Sequence, residues 1–271
     1  MNPISIMQGR LSSVEQNRFQ FFPNDWPAEF SQAKAIGFDG LCWFLDLDKP
    51  DLDPIKDLWG NAKGLAEIDQ SIKILPIRGI DCGRYGFFGS GAIKTRGDFK
   101  ILFPALSPRL TGSVVSIPLL EENFPKSPEE KNEVVANLRQ IAMLAKGFGL
   151  RLALETEWPA SELLNFLDQL GQTNVGVCYD IGNATSYGFD CPAEIRQLGE
   201  KIFDVHLKDR ERGKTQSMLL GAGDADFSGC FKALKEIDYK GGFTMQAWRG
   251  DDYLKDAEVQ LTFIKKCLTF Q

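Results

Sequence analysis

The sequence predicts a (β/α)8 TIM barrel of the α/β class, with residues 1–271 forming one domain. Three observations predict it. Short apolar runs rich in β-branched and aromatic residues alternate with amphipathic stretches from end to end, the pattern of parallel strands joined by right-handed helical crossovers. The alternation repeats eight times in 271 residues, about the length of such a barrel, and eight units can close without leaving a sheet edge. No linker, low-complexity tract or charge block interrupts it, so no domain boundary is indicated. A doubly wound open sheet is the other architecture the alternation permits.

The first strand is read at residues 4–7, followed by polar Gln8, Gly9 and Arg10 and a loop rich in Phe. Asp25 as N-cap, Pro27 in the first turn, and Phe30, Ala33 and Ile36 at helical spacing predict a helix ending at Gly37. Residues 38–45 form the second strand, and the acidic run DLDKPDLDP after it reads as solvated loop, because its spacing fits no EF-hand and two prolines break it. A helix at 62–72 precedes the third strand at 74–80, which ends at Asp81. Glycines punctuate 83–110, where only 93–103 reads as helix, and they do not form a dinucleotide-binding fingerprint. The fourth strand spans 113–120. Ser127, Pro128 and Glu130 then make a capping-box signature for a helix running to Gly147. Strands at 150–154, 175–179, 203–205 and 243–245 alternate with helices at 161–170, 192–198, 227–237 and 253–268.

Four of these strands end in a potential ligand: Glu155, Asp180, His206 and Gln246, His206 being the only histidine in the chain. In a parallel barrel, chemistry collects at the C-terminal strand ends. A lone histidine at such a place is often just a hydrogen-bonded structural residue, but four successive strand ends converge on one mouth. Two carboxylates, an imidazole and an amide oxygen suit a divalent ion such as Mn, Co, Mg or Zn. A net charge of −6 and the lack of any basic run argue against a nucleic-acid partner. The start of the chain has neither a basic leader nor an apolar segment, and no stretch approaches bilayer length, so no membrane partner and a cytoplasmic location are expected. The six cysteines contain no C-x-x-C pair and read as reduced, small core residues.

The run of MQGRLS, GFDGLCW, IPLLEEN, LALET, YDIGN, VHLKD, LGAGDADF and FTMQAW, in that order over essentially the whole chain, resembles the xylose isomerase-like TIM-barrel superfamily, in particular its sugar phosphate isomerase/epimerase family. The resemblance implies a metal held by Glu155, Asp180, His206 and the residue at 246. It also implies proton transfer by carboxylates at 155 and 246 on opposite faces of a carbon next to a carbonyl, with the metal stabilising the enediolate. The implied function is a metal-dependent isomerase or epimerase of a small sugar or sugar phosphate.

The chain departs from that pattern where the family has a strand-eight Glu. Gln246 can offer a metal its amide oxygen, but an amide cannot act as a general base near neutral pH. Cys42 and Asn183 also stand where many or some relatives carry Glu and His. Glu155 is therefore the one carboxylate base left, with Lys208, Asp209, Asp224 and Asp226 as candidates to complete proton transfer. Lys208 is also open to an oxyanion or phosphate role, or to a plain salt bridge with Asp209 or another rim carboxylate. Arg10, Arg212 and Arg249 are candidates for a substrate phosphate or carboxylate, Asn183 for substrate contact, and Trp43 and Trp248 for packing against a sugar face. A polyol dehydratase and a sugar-binding barrel that has lost catalysis, because of Gln246, are the alternative readings. A homodimer is open, with Phe19 to Phe22 as its candidate surface.

Overall fold

The computed structural model describes residues 2–14, 18–83 and 85–269. Eight parallel strands close into a barrel: β1 (Ile4–Met7), β2 (Gly40–Phe44), β3 (Ile77–Asp81), β4 (Leu110–Leu119), β5 (Arg151–Thr156), β6 (Val175–Asp180), β7 (Ile202–Leu207) and, after two short strands outside the barrel, β10 (Gly242–Met245). Those two, β8 (Asp209–Arg210) and β9 (Ser217–Met218), form a separate antiparallel ladder. Around the barrel lie α1 (Trp26–Ile36), α2 (Ala62–Ser71), α3 (Gly91–Leu106), α4 (Pro128–Gly147), α5 (Ala160–Leu170), α6 (Ile181–Ser186), α7 (Cys191–Leu198), α8 (Phe227–Glu236) and α9 (Tyr253–Thr269). β1 pairs with both β10 and β2, so the ring closes and the open-sheet alternative is excluded.

Strand alternation divides the side chains into two populations. Leu152 and Leu154 on β5, Val177 and Tyr179 on β6, and Val205 and Leu207 on β7 join one large core beneath the helices. Residues of the other parity face the barrel interior, where Val114, Ala153 and Cys178 form a small apolar cluster. Burying a large aliphatic or Phe side chain contributes about 1.5 to 3 kcal/mol, so the shell between sheet and helices supplies most of the stabilisation. The interior end of the strands is left free to carry polar groups.

Local chemistry explains where elements begin and where they differ from expectation. α4 starts with a complete capping box, Ser127 accepting from Glu130 N and the Glu130 carboxylate reaching back. Asp25 makes no capping hydrogen bond at α1, although Pro27 and the left-handed Gly37 do frame that helix. β3 starts only at Ile77 because residues 71–75 turn back on Ser71 O and Pro76 lacks an N–H. The acidic segment after β2 is not simply solvated. Asp46 is 2% exposed, accepts from Phe22 N and pairs with Arg18 at 2.7 Å, and Asp53 caps a π-helical turn at Pro54–Trp59. Of the phenylalanines in the Phe-rich loop only Phe19 is exposed, at 38%. Phe21 and Phe22 are 1% exposed, with Phe22 packed 5.3 Å from Trp43. Trp43 is itself wholly buried among Trp26, Phe30 and Trp59, where it reaches no sugar. Among the described residues no helix is long and apolar enough to cross a membrane.

Candidate active site

The four strand-end residues stand where alternation and register bring their side chains to the interior end of the barrel. Asp180 on β6 and His206 on β7 are register partners. Thr244 on β10 pairs with His206, and Gln246, two residues further, is tied by its own N–H to Leu207 O at 3.1 Å. β5 runs beside β6 through the pair Leu154↔Val177, which sets Glu155 next to Cys178. All four residues are buried, His206 completely.

The His206 ring has carboxylates at both nitrogens. Nδ1 lies 3.5 Å from Glu155 Oε2, and Nε2 lies 3.6 Å from Asp204 Oδ2. Asp204 is in turn held by the Thr244 hydroxyl at 3.0 Å. Burial disfavours the imidazolium, but Cys178, Asp204 and Glu155 outweigh it and raise His206 well above the ordinary imidazole range. The surroundings therefore favour positive charge at this point.

Glu155 is oriented by a short helix. Asp180 Oδ1 accepts Asn183 N at 2.8 Å, capping α6, and Asn183 Nδ2 then donates to Glu155 Oε1 at 2.5 Å. Lys208, 4% exposed, completes the group, its Nζ 2.9 Å from Asp180 Oδ2 and 3.5 Å from Asn183 Oδ1. Burial works against a charged Asp180, yet Lys208, His206 and Arg210 outweigh it and hold the carboxyl below its ordinary range. Gly182 is required here, since a Cβ would lie 2.8 to 2.9 Å from Lys208 atoms.

The donor set fits a divalent cation. His206 Nδ1, Gln246 Oε1 and Asp180 Oδ2 are buried and make no aligned hydrogen bond, the last touching only the Lys208 ammonium. Polar atoms removed from water without a partner are costly, and His206 Nδ1 and Gln246 Oε1, beside the Asp180 carboxylate, point to a shared ligand. Metal-bound histidines hand their second N–H to a carboxylate, which is the position Asp204 holds at Nε2. Cys178 Sγ lies within 4.8 Å of donor atoms of Glu155 and His206. Burial pushes that thiol up to about 12, so it stays protonated and is a poor ligand.

Above this floor opens a cavity of about 720 Å³ reached by Glu155, Asn183, Lys208, Gln246 and Trp248. Arg10 does not line it. Its guanidinium donates to Phe19 O and Gln20 Oε1 at 2.5 and 2.6 Å, and it borders a smaller pocket. Arg212 is exposed, its backbone N–H bound to Asp224 Oδ2 at 2.9 Å. Arg249 does reach the cavity. The carboxylates considered as proton-transfer partners are engaged elsewhere: Asp209 accepts the N–H groups of Gly221, Gly223 and Ala225, and Asp226 caps α8. Lys208 pairs with Asp180, not with Asp209, because successive residues of an extended chain point to opposite sides.

Two groups escape a reading of motifs. Asp204 precedes His206 by two residues, so strand alternation places it on the same face, a signal present in IFDVHLKDR. Asp81 ends β3 facing the cavity, with Oδ2 buried and unpartnered, and burial pushes it up to about 6 against the nearby His206. A lone Asp at a strand end carries no motif that would single it out.

The model of the xylose isomerase-like TIM barrel family matches residues 107–267, more than half of the chain. The chain belongs to that family. Among curated members, a putative L-ribulose-5-phosphate 3-epimerase, UlaE, of Shigella dysenteriae serotype 1 is 28% identical over 236 residues, 82% of each chain. The chain spans only 26% to 59% of the length of several other curated relatives it matches. Among solved structures, an L-ribulose 3-epimerase superposes with a TM-score of 0.75 at 20% identity, over 100% of this chain and 95% of that one. A xylose isomerase-like barrel from Mycobacterium smegmatis in complex with magnesium superposes at 0.73 and 16% identity, over 99% and 97%. These likenesses in structure concern the fold; the family's relatives of stated activity include sugar epimerases.

Proposed function

We propose that the chain is a divalent-metal-dependent epimerase of a ketose or ketose phosphate. The observation that carries this reading is the pair of buried, unpartnered donors His206 Nδ1 and Gln246 Oε1, grouped with Glu155 and with the Lys208-paired carboxylate of Asp180 at the interior strand ends. These four residues would hold the ion, which when bound supplies Lewis-acid stabilisation of negative charge. The epimerase relatives favour this over the dehydratase reading.

Glu155 is the base for the proton on the carbon beside the substrate carbonyl. The Asn183 amide fixes one of its oxygens, which directs the other toward His206 and the cavity. Gln246 cannot return a proton. That role falls to Lys208, whose ammonium is buried, faces the same cavity and is linked to the base through Asn183.

The test is metal content by plasma mass spectrometry of wild type, Glu155→Gln and His206→Ala, followed by turnover of ketoses and their phosphates. Glu155→Gln is expected to keep metal and lose at least about 100-fold in kcat, and His206→Ala to lose the metal. A Glu155→Gln protein with full metal and unchanged turnover defeats the assignment.

A further inference from the structure

Three donors of residues lining the cavity lack partners: Arg210 Nε, Ser217 Oγ and Arg249 Nη2 are buried atoms that make no hydrogen bond, although Arg210 as a whole is half-buried. Ser217 and Arg249 are 5% and 7% exposed. Arg210 and Ser217 are register partners across the β8–β9 ladder, so their side chains are neighbours. Asp209 clamps this ladder to residues 221–225 by three hydrogen bonds of 2.8 to 3.2 Å.

Arg210 lies near the Asp180 carboxylate, but among the described residues no carboxylate bonds the Arg249 guanidinium. Arg249 donates its other N–H groups to neutral carbonyls, Ser12 O at 3.2 Å and Phe19 O at 3.1 Å. Phe19 O also receives Arg10, so two guanidiniums share one acceptor. Glu29, the carboxylate near them, already accepts Gly9 N, Leu11 N and the Ser12 hydroxyl. Asp46, Asp48, Glu121 and Glu122 also line the cavity, with Asp46 paired to Arg18 at 2.7 Å. A buried cation without a counter-ion is costly, and two guanidinium donors with a hydroxyl match a tetrahedral oxyanion.

We propose that Arg210, Ser217 and Arg249 form an oxyanion subsite that takes the phosphate of a phosphorylated ketose. The identity of the sugar rests on the epimerase reading; the binding of phosphate does not. The test is calorimetric titration of wild type, Arg210→Gln and Ser217→Ala with inorganic phosphate, before and after EDTA, followed by kcat/KM for a ketose and its phosphate. These two residues are preferred to Arg249, whose replacement would also release Ser12 and Phe19.

Wild type is expected to bind phosphate with and without EDTA, and Arg210→Gln to weaken it about 10- to 100-fold, with a smaller loss in Ser217→Ala. The preference for the phosphorylated over the free ketose should fall in parallel. No phosphate binding by wild type, loss of binding on EDTA treatment, or equal affinity in both variants overturns the subsite. Phosphate binding through these residues in a protein that turns over no ketose would retain the subsite and remove the epimerase reading.

Discussion

At the scale of single residues, the site turns on which nitrogen of His206 faces Glu155. Nδ1 is directed to Glu155, and Nε2 to Asp204, which the Thr244 hydroxyl steadies from below. A carboxylate behind a ligating imidazole fixes the tautomer and raises ligand basicity. Asp204→Asn is therefore expected to lower Mn²⁺ affinity about 10- to 100-fold by calorimetry. Its amide oxygen can still accept the Val205 N–H while its NH2 donates to the Thr244 hydroxyl, so the unfolding midpoint should move little. Unchanged affinity would show that Asp204 belongs to the barrel interior and not to the metal centre. Gln246 is the second decisive residue, since it preserves an oxygen donor while removing a base.

At the scale of elements, short irregular pieces after the strands do the positioning. The α6 turn carries Asn183 to Glu155, and Lys208 fits only because residue 182 is glycine. The β8–β9 ladder stands because Asp209 collects three backbone N–H groups from the glycine-rich segment that follows. Gly223 gives it room, since a Cβ there would fall 2.3 Å from Asp209 Oδ1. Asp209→Ala would leave those donors without the carboxylate and is expected to cost about 3 kcal/mol in urea unfolding. Metal affinity should be retained, because no proposed ligand contacts Asp209. A loss below about 0.5 kcal/mol would mean that the segment re-pairs its amides with water.

At the scale of the whole molecule, closure of the ring through β1 and β10 makes one floor out of residues far apart in sequence. A ligand held by several strands at once stabilises the folded state by mass action. Mn²⁺ at about 100 times its Kd is expected to add about 2.7 kcal/mol, raising Tm by about 5 to 10 °C. His206→Ala should show no such rise in the same calorimetric scan. A rise of equal size in both proteins would place the bound ion elsewhere.

Much of the barrel was legible because its signals are local. Period-two apolar runs, the Ser127 capping box and the Gly37 stop each depend on a few neighbouring residues, and the order of eight units decides which strands can pair. The same alternation that identifies a strand also says that Glu155, Asp180 and His206 end theirs on the interior side. The closed ring, by contrast, needs β1 to meet β10, and no residue in either strand states that pairing. Tertiary structure alone decided that Lys208 neutralises Asp180, that Arg10 is bound by its own loop while Arg249 reaches the cavity, and that Asp46 and Trp43 are buried. The physical reason is that burial and charge pairing are settled by which distant segments share a low-dielectric space, a relation that sequence spacing does not encode.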